Sequence, residues 1–133
     1  MAEQHAHSIL VVDDQPESSD AVGLLLEQQG IEVRIAHDGE EALAALQRGF
    51  RPCLVVADLM MPKMDGWEFR QRQLSDPQFA SIPVLIMSGY PNADKAAGTL
   101  GVRTVLKKPL SVQRLLSLVN RHCRRDTQAA STA

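Results

Sequence analysis

Short apolar runs alternate with stretches of helical periodicity along most of the chain. Ile9-Leu-Val-Val12 is apolar throughout and stops at two carboxylates, the pattern of a strand buried on both faces. From Pro16 to Gln29, Ala21, Val22, Leu25 and Leu26 recur at helical spacing before Gly30, a residue that ends helices well. Glu32 to Ala36 alternates polar and apolar residues, as an edge strand does. Asp38 is placed to cap a helix from Gly39 to Arg48 that turns Ala42, Leu43 and Leu46 inward and stops at Gly49. The alternation then repeats. Cys53 to Ala57 predicts a buried strand ending at Asp58, and Asp65-Gly66 opens a helix to about Leu74 that carries Trp67 and Phe69. Val84 to Met87 follows Pro83 as another buried strand and ends at Ser88. Asn92 to Leu100 predicts a weak helix, because Gly98 interrupts it and apolar bulk is sparse. Thr104 to Leu106 forms the last strand before Lys107, Lys108 and Pro109. Ser111 caps a final helix whose Val112, Leu115, Leu116, Val119 and Cys123 make one apolar stripe.

Five strands alternating with five helices require crossover connections, so the expected fold is α/β: a doubly wound, five-stranded parallel sheet covered by helices on both faces. A chain of 133 residues suits one such domain. The expected boundaries are a flexible tail over 1–8, the domain over 9–125 and a second flexible tail over 126–133. Fourteen basic against sixteen acidic residues give a net charge of −2, which removes the main electrostatic basis for binding nucleic acid. No apolar run approaches the roughly 20 residues of a membrane helix, and the polar N-terminus has no signal-peptide core. A soluble, cytoplasmic domain with no membrane partner is expected. Two cysteines are too few for a disulfide scaffold or a cysteine-based zinc site, and Cys53 and Cys123 are expected to pack as small apolar side chains.

In an open parallel sheet the functional groups gather outside the carboxyl ends of the strands. Here those ends carry Asp13-Asp14, Asp58, Ser88 and Lys107-Lys108-Pro109. Three carboxylates converging on one rim repel one another, and a hard divalent cation such as Mg2+ relieves the repulsion with oxygen ligands. The Ser88 hydroxyl and a lysine ammonium suit the oxygens of a phosphoryl group. Phosphoryl transfer requires above all positioning and charge neutralisation, and a carboxylate can itself accept phosphate as an acyl phosphate. Asp58, on a middle strand, is the central candidate for that role.

The ordered set Asp13-Asp14, Asp58, Ser88 and Lys108-Pro109 resembles the receiver domain of two-component response regulators, as does Asp58-Leu-Met-Met-Pro-Lys-Met-Asp-Gly66. The likeness spans about residues 8–125 and is of the single-domain, chemotaxis-regulator-like type, with a Ser88-Gly89-Tyr90 run similar to that of some single-domain regulators and hybrid-kinase receivers. It implies a flavodoxin-like strand order 2-1-3-4-5. It implies Asp58 as the phosphoacceptor, served by a sensor histidine kinase or a histidine phosphotransfer protein. Asp14 would bind Mg2+ directly, Asp13 largely through water, and Met60 through its backbone carbonyl. Ser88 and Lys108 would hold phosphoryl oxygens, and Pro109, after a cis peptide, would aim the lysine. Many receivers carry a Tyr or Phe three residues before that lysine. Val105 stands there in this chain, so the aromatic switch is absent.

Other readings remain open beside this one. His5 and His7 belong to a flexible tail, His37 and His122 to the surface, and Lys107 to a solvated face. Arg121, Arg124 and Arg125 suit the terminus of the last helix electrostatically. The expected function is a stand-alone receiver that signals through phosphorylation-dependent partner binding or phosphorelay, as a monomer or weak dimer, and not as a dedicated enzyme. The alternatives are the receiver portion of a hybrid histidine kinase, an unphosphorylated docking domain, an FMN carrier, and a Mg2+-dependent phosphohydrolase with an aspartyl nucleophile. The phosphohydrolase would want an acid at Met60, and the FMN carrier a Ser/Thr/Gly loop where Asp-Asp-Gln-Pro stands.

Overall fold

The computed structural model describes residues 7–58, 66–88, 105–107, 111 and 113–121. The apolar runs form the strands β1 (Ser8–Val12), β3 (Leu54–Asp58) and β4 (Val84–Ser88), all but fully buried. Both faces of these strands lie in the interior, which is why their sequences lack polar alternation. The strand β2 (Glu32–Ala36) does alternate, and it lies at one edge of the sheet. With β5 (Val105–Lys107) the strands form one parallel sheet in the order β2-β1-β3-β4-β5. The chain order reverses between β1 and β3, which puts the crevice of a doubly wound sheet outside their carboxyl ends.

Alternate residues of each strand go to opposite layers. Leu10, Val12, Val55, Ala57 and Ile86 face Ala42, Leu46 and Phe69 of the helices α2 (Gly39–Gln47) and α3 (Gly66–Ser75). Ile9, Val11, Leu54, Val56 and Leu85 face Val22 and Leu26 of α1 (Pro16–Gln28), together with Leu115, Leu118 and Val119 of α4, a helix over 113–121. The sheet is therefore covered on both faces, as the alternation of elements requires. Four helices fall among the described residues; the weak helix expected over Asn92 to Leu100 lies outside them.

The helix boundaries have local causes. The Asp38 carboxylate accepts a hydrogen bond from the Glu41 N–H at 2.8 Å, and the Glu41 carboxylate accepts one from the His37 N–H at 3.1 Å. Both bonds satisfy donors at or beside the start of α2. The Ser111 hydroxyl accepts from the Arg114 N–H in the same way at the start of α4. Gly30 and Gly49 follow α1 and α2 with φ of +80° and +104°, where a β-carbon would be strained. The strands begin and end within a residue of expectation. The polar residues Asp58 and Ser88 lie inside the last rungs of β3 and β4, so backbone pairing fixes their Cα positions.

The segment between α3 and β4 is held by a buried polar clasp. The Gln73 amide nitrogen donates to the carbonyls of Phe79 (2.7 Å) and Ile82 (2.8 Å), and the Arg70 guanidinium donates to the Gln73 amide oxygen at 2.7 Å. Burial lowers the Arg70 pKa from its ordinary value. Arg51 covers the Phe79 ring at 5.1 Å and donates to the Leu46 carbonyl at 2.6 Å. Cys53, expected as a small apolar side chain, does pack against the layer of α1 and α4, but it is also disulfide-bonded.

Candidate functional site

The site begins with strand register. Val12 pairs with Ala57, so the next residues of β1 and β3 bring Asp13 and Asp58 to the same level at the carboxyl edge. Asp58 in turn pairs with Met87, and Ser88 pairs with Lys107 on β5. Four neighbouring strands thus deliver their terminal polar residues to one rim, as the sequence pattern led us to expect.

Asp13 is almost fully buried, at 1% exposure. Its backbone N–H donates to the Ala36 carbonyl at 3.0 Å, which extends the β1–β2 ladder by one rung. One of its carboxylate oxygens accepts from the Gln15 N–H at 2.9 Å. This turn, an aspartate bonded to the amide two residues on, orients the carboxylate and leads directly into α1 at Pro16. Asp58 and Ser88 are also buried, whereas Asp14 stands more open to solvent.

Carboxylate oxygens of Asp13, Asp14 and Asp58 all lie within 4.8 Å of one another. Two unit charges at that separation repel by about 3 kcal/mol at an effective dielectric of about 20. A set made only of carboxylates, two buried and one open, suits a hard cation that takes oxygen ligands and keeps some of its waters. Mg2+ has that preference; softer metals prefer imidazole or thiolate, and neither occurs in this cluster. The donor set therefore fits the cation that the resemblance implies.

Beside the carboxylates an open cavity is lined by Asp14, Gln15, Pro16 and Glu17. Its wall is the first turn of α1. Gln15 is the site residue that sequence reading passed over. The signal was present, since a backbone amide two residues after an aspartate is the usual partner in such a turn. Met60, Lys108 and Pro109, assigned roles from the resemblance, lie outside the described residues. Lys107, the residue before Lys108, ends β5 opposite Ser88.

Comparison with known proteins agrees with this architecture. The sequence model of the response regulator receiver domain matches residues 9–120. The chain is 37% identical over 127 residues to the DNA-binding dual master transcriptional regulator RpaA of Synechocystis, covering 94% of this chain and 52% of that protein. It thus spans about half the length of that relative. It is 32% identical over 114 residues to Protein PilH of Pseudomonas aeruginosa, covering 84% of this chain and 93% of PilH. Among solved structures, the chemotaxis response regulator CheY4 of Vibrio cholerae superposes with a TM-score of 0.79 at 30% identity, covering 87% of this chain and 98% of that one. With the parallel order β2-β1-β3-β4-β5 and the match over most of its length, the chain belongs to the response regulator receiver domain family.

Proposed function

We propose that this receiver accepts a phosphoryl group on Asp58 from a phosphohistidine of a sensor histidine kinase or phosphotransfer protein. The observation that carries the reading is the clustering of Asp13, Asp14 and Asp58 at the carboxyl edge of the central strands.

A carboxylate oxygen of Asp58 attacks phosphorus in line with the departing imidazole. The phosphorus–nitrogen bond breaks as the phosphorus–oxygen bond forms, and the imidazole, already protonated on its other ring nitrogen, takes the bonding electron pair and leaves neutral. Asp13, Asp14 and Asp58, with the Met60 carbonyl, are the residues that would hold Mg2+. When bound there, the cation would neutralise the acceptor and phosphoryl charges. Asp58 is positioned by its place in the β3 ladder, and Asp13 by the Gln15 amide. Ser88 donates its hydroxyl to one phosphoryl oxygen, and Lys108 pairs with another.

The output is phosphorylation-dependent binding of a partner protein, or relay of the phosphoryl group to another histidine. The likeness to PilH and CheY4 over nearly their whole lengths supports a stand-alone role. Phosphotransfer from a panel of autophosphorylated kinases tests the assignment. The expected product is labelled wild-type protein whose label is released by hydroxylamine, as an acyl phosphate requires. A hydroxylamine-resistant label would point to a hydroxyl such as Ser88 and contradict it.

A further inference from the structure

We propose that the chain self-associates through the outer edge of β2, two copies pairing antiparallel about a two-fold axis at Val33. The orientation of that edge is fixed by the bonds of β2 to β1. The Glu32 N–H donates to the His7 carbonyl at 2.9 Å, and the Ala36 carbonyl accepts from the Asp13 N–H at 3.0 Å. Even-numbered residues of β2 thus turn their backbone groups towards β1, and Val33 and Ile35 turn theirs outwards. Among the described residues nothing pairs with this side, since β2 ends the sheet. An open cleft runs beside Arg34, Ile35 and Ala36 against Ala44 and Ala45 of α2, so the helix does not close over the edge.

The side chains select the occupant. Charges on an exposed edge ordinarily deter pairing. Here they are Glu32 and Arg34, both exposed and two residues apart, hence on one face of the strand. The Arg34 guanidinium lies 4.5 Å over the Phe50 ring, a contact that uses its flat face and not its N–H groups. Only registers that pair odd-numbered with odd-numbered residues join the outward backbone groups. Two such registers set Glu32 opposite Glu32 or Arg34 opposite Arg34, and pairing Ile35 with Ile35 makes no charge pair. Pairing Val33 with Val33 sets Glu32 of each copy opposite Arg34 of the other, an attractive arrangement made twice by symmetry. On the other face Val33 and Ile35, half-buried against the α1 layer, gain apolar neighbours from the second copy. The strand carries both members of the charge pair, so the partner it fits is itself.

In this register the two Val33 residues exchange N–H and carbonyl bonds, and the Ile35 N–H meets the Ile31 carbonyl of the second copy. The axis is normal to the sheet and joins two five-stranded sheets into one. The carboxyl ends of the strands then point in opposite directions, and both carboxylate rims stay open. The interface is small, so monomer and dimer interconvert with concentration.

The test is sedimentation equilibrium of the full chain over a range of concentrations at low ionic strength. The wild type should approach dimer mass as concentration rises, and salt should weaken the association. The amide hydrogens of Val33 and Ile35 should exchange more slowly as the dimer forms. Glu32→Arg and Arg34→Glu should each weaken association by roughly tenfold or more, because like charges then face each other. Both substitutions lie at exposed positions, where the fold tolerates them. The two single variants should associate when mixed, and the double variant Glu32→Arg/Arg34→Glu should dimerise as the wild type does. A wild type that stays monomeric throughout would overturn the proposal. So would a dimer in which the Val33 and Ile35 amides gain no protection, or single variants that dimerise as well as the wild type.

Discussion

Asp13 and Asp58 stand side by side on adjacent parallel strands, one residue beyond the pair Val12 and Ala57. Their carboxylate oxygens, with one from Asp14, fall within 4.8 Å of each other. Register alone produces this proximity, and the Gln15 N–H on Asp13 fixes the orientation of one partner. Two buried carboxylates held this close are a cost to folding that a counter-charge offsets.

The first prediction follows from that repulsion. Asp14→Asn should raise Tm in the absence of divalent cations, because one of three mutually repelling charges is gone. Added Mg2+ should raise the wild-type Tm by mass action and leave the variant nearly unchanged. Thermal melts with and without Mg2+ make the comparison. An equal Mg2+ response in the two proteins would remove Asp14 from the metal site.

The Gln73 clasp gives a stability prediction. Gln73→Ala leaves the carbonyls of Phe79 and Ile82 without their shared donor and takes the amide oxygen from the Arg70 guanidinium. The cost should be about 2–4 kcal/mol, since buried polar groups lose their partners. Gln78→Ala, at an exposed position, should change stability by less than about 0.5 kcal/mol. Urea unfolding of both variants decides whether the clasp or mere side-chain volume matters.

Much of this architecture is legible in the sequence. The uninterrupted apolar runs of β1, β3 and β4 fit strands buried on both faces, and the alternation of Glu32–Ala36 fits an edge strand. The carboxylate rim is legible for the same reason, because each run is stopped by the polar residue that ends the strand. The clasp is not. Gln73 and Arg70 have the residue types of a solvated helix face, and nothing local shows that the turn at 76–82 brings backbone carbonyls over them. Phe79 is likewise buried by tertiary packing outside any periodic element.

Lys108 and Lys107 should behave differently. Lys108→Ala is expected to uncouple phosphorylation from partner binding by removing the ion pair to the phosphoryl oxygens. Lys107→Ala is expected to change binding by no more than roughly 0–1 kcal/mol, the range of a surface charge. Binding of a phosphorylation-dependent partner to each phosphorylated variant distinguishes them, and the reverse pattern would shift the assignment by one residue.

The lifetime of the phosphorylated state should be long. Met60 and Tyr90, two positions after Asp58 and Ser88, offer no carboxylate or amide to orient an attacking water. Met60→Asn combined with Tyr90→Glu should speed the loss of phosphate, and a tenfold change corresponds to about 1.4 kcal/mol of barrier. Unchanged decay in the double variant would show that these positions do not govern access of water.

The most direct measurement is intact mass spectrometry after incubation with Mg2+ and acetyl phosphate, with fragmentation to locate the modification. The account predicts one phosphoryl group per chain, on Asp58, absent when Mg2+ is chelated and absent in Asp58→Asn. A phosphoryl group retained by Asp58→Asn, or found on another residue of the wild type, would contradict Asp58 as the acceptor.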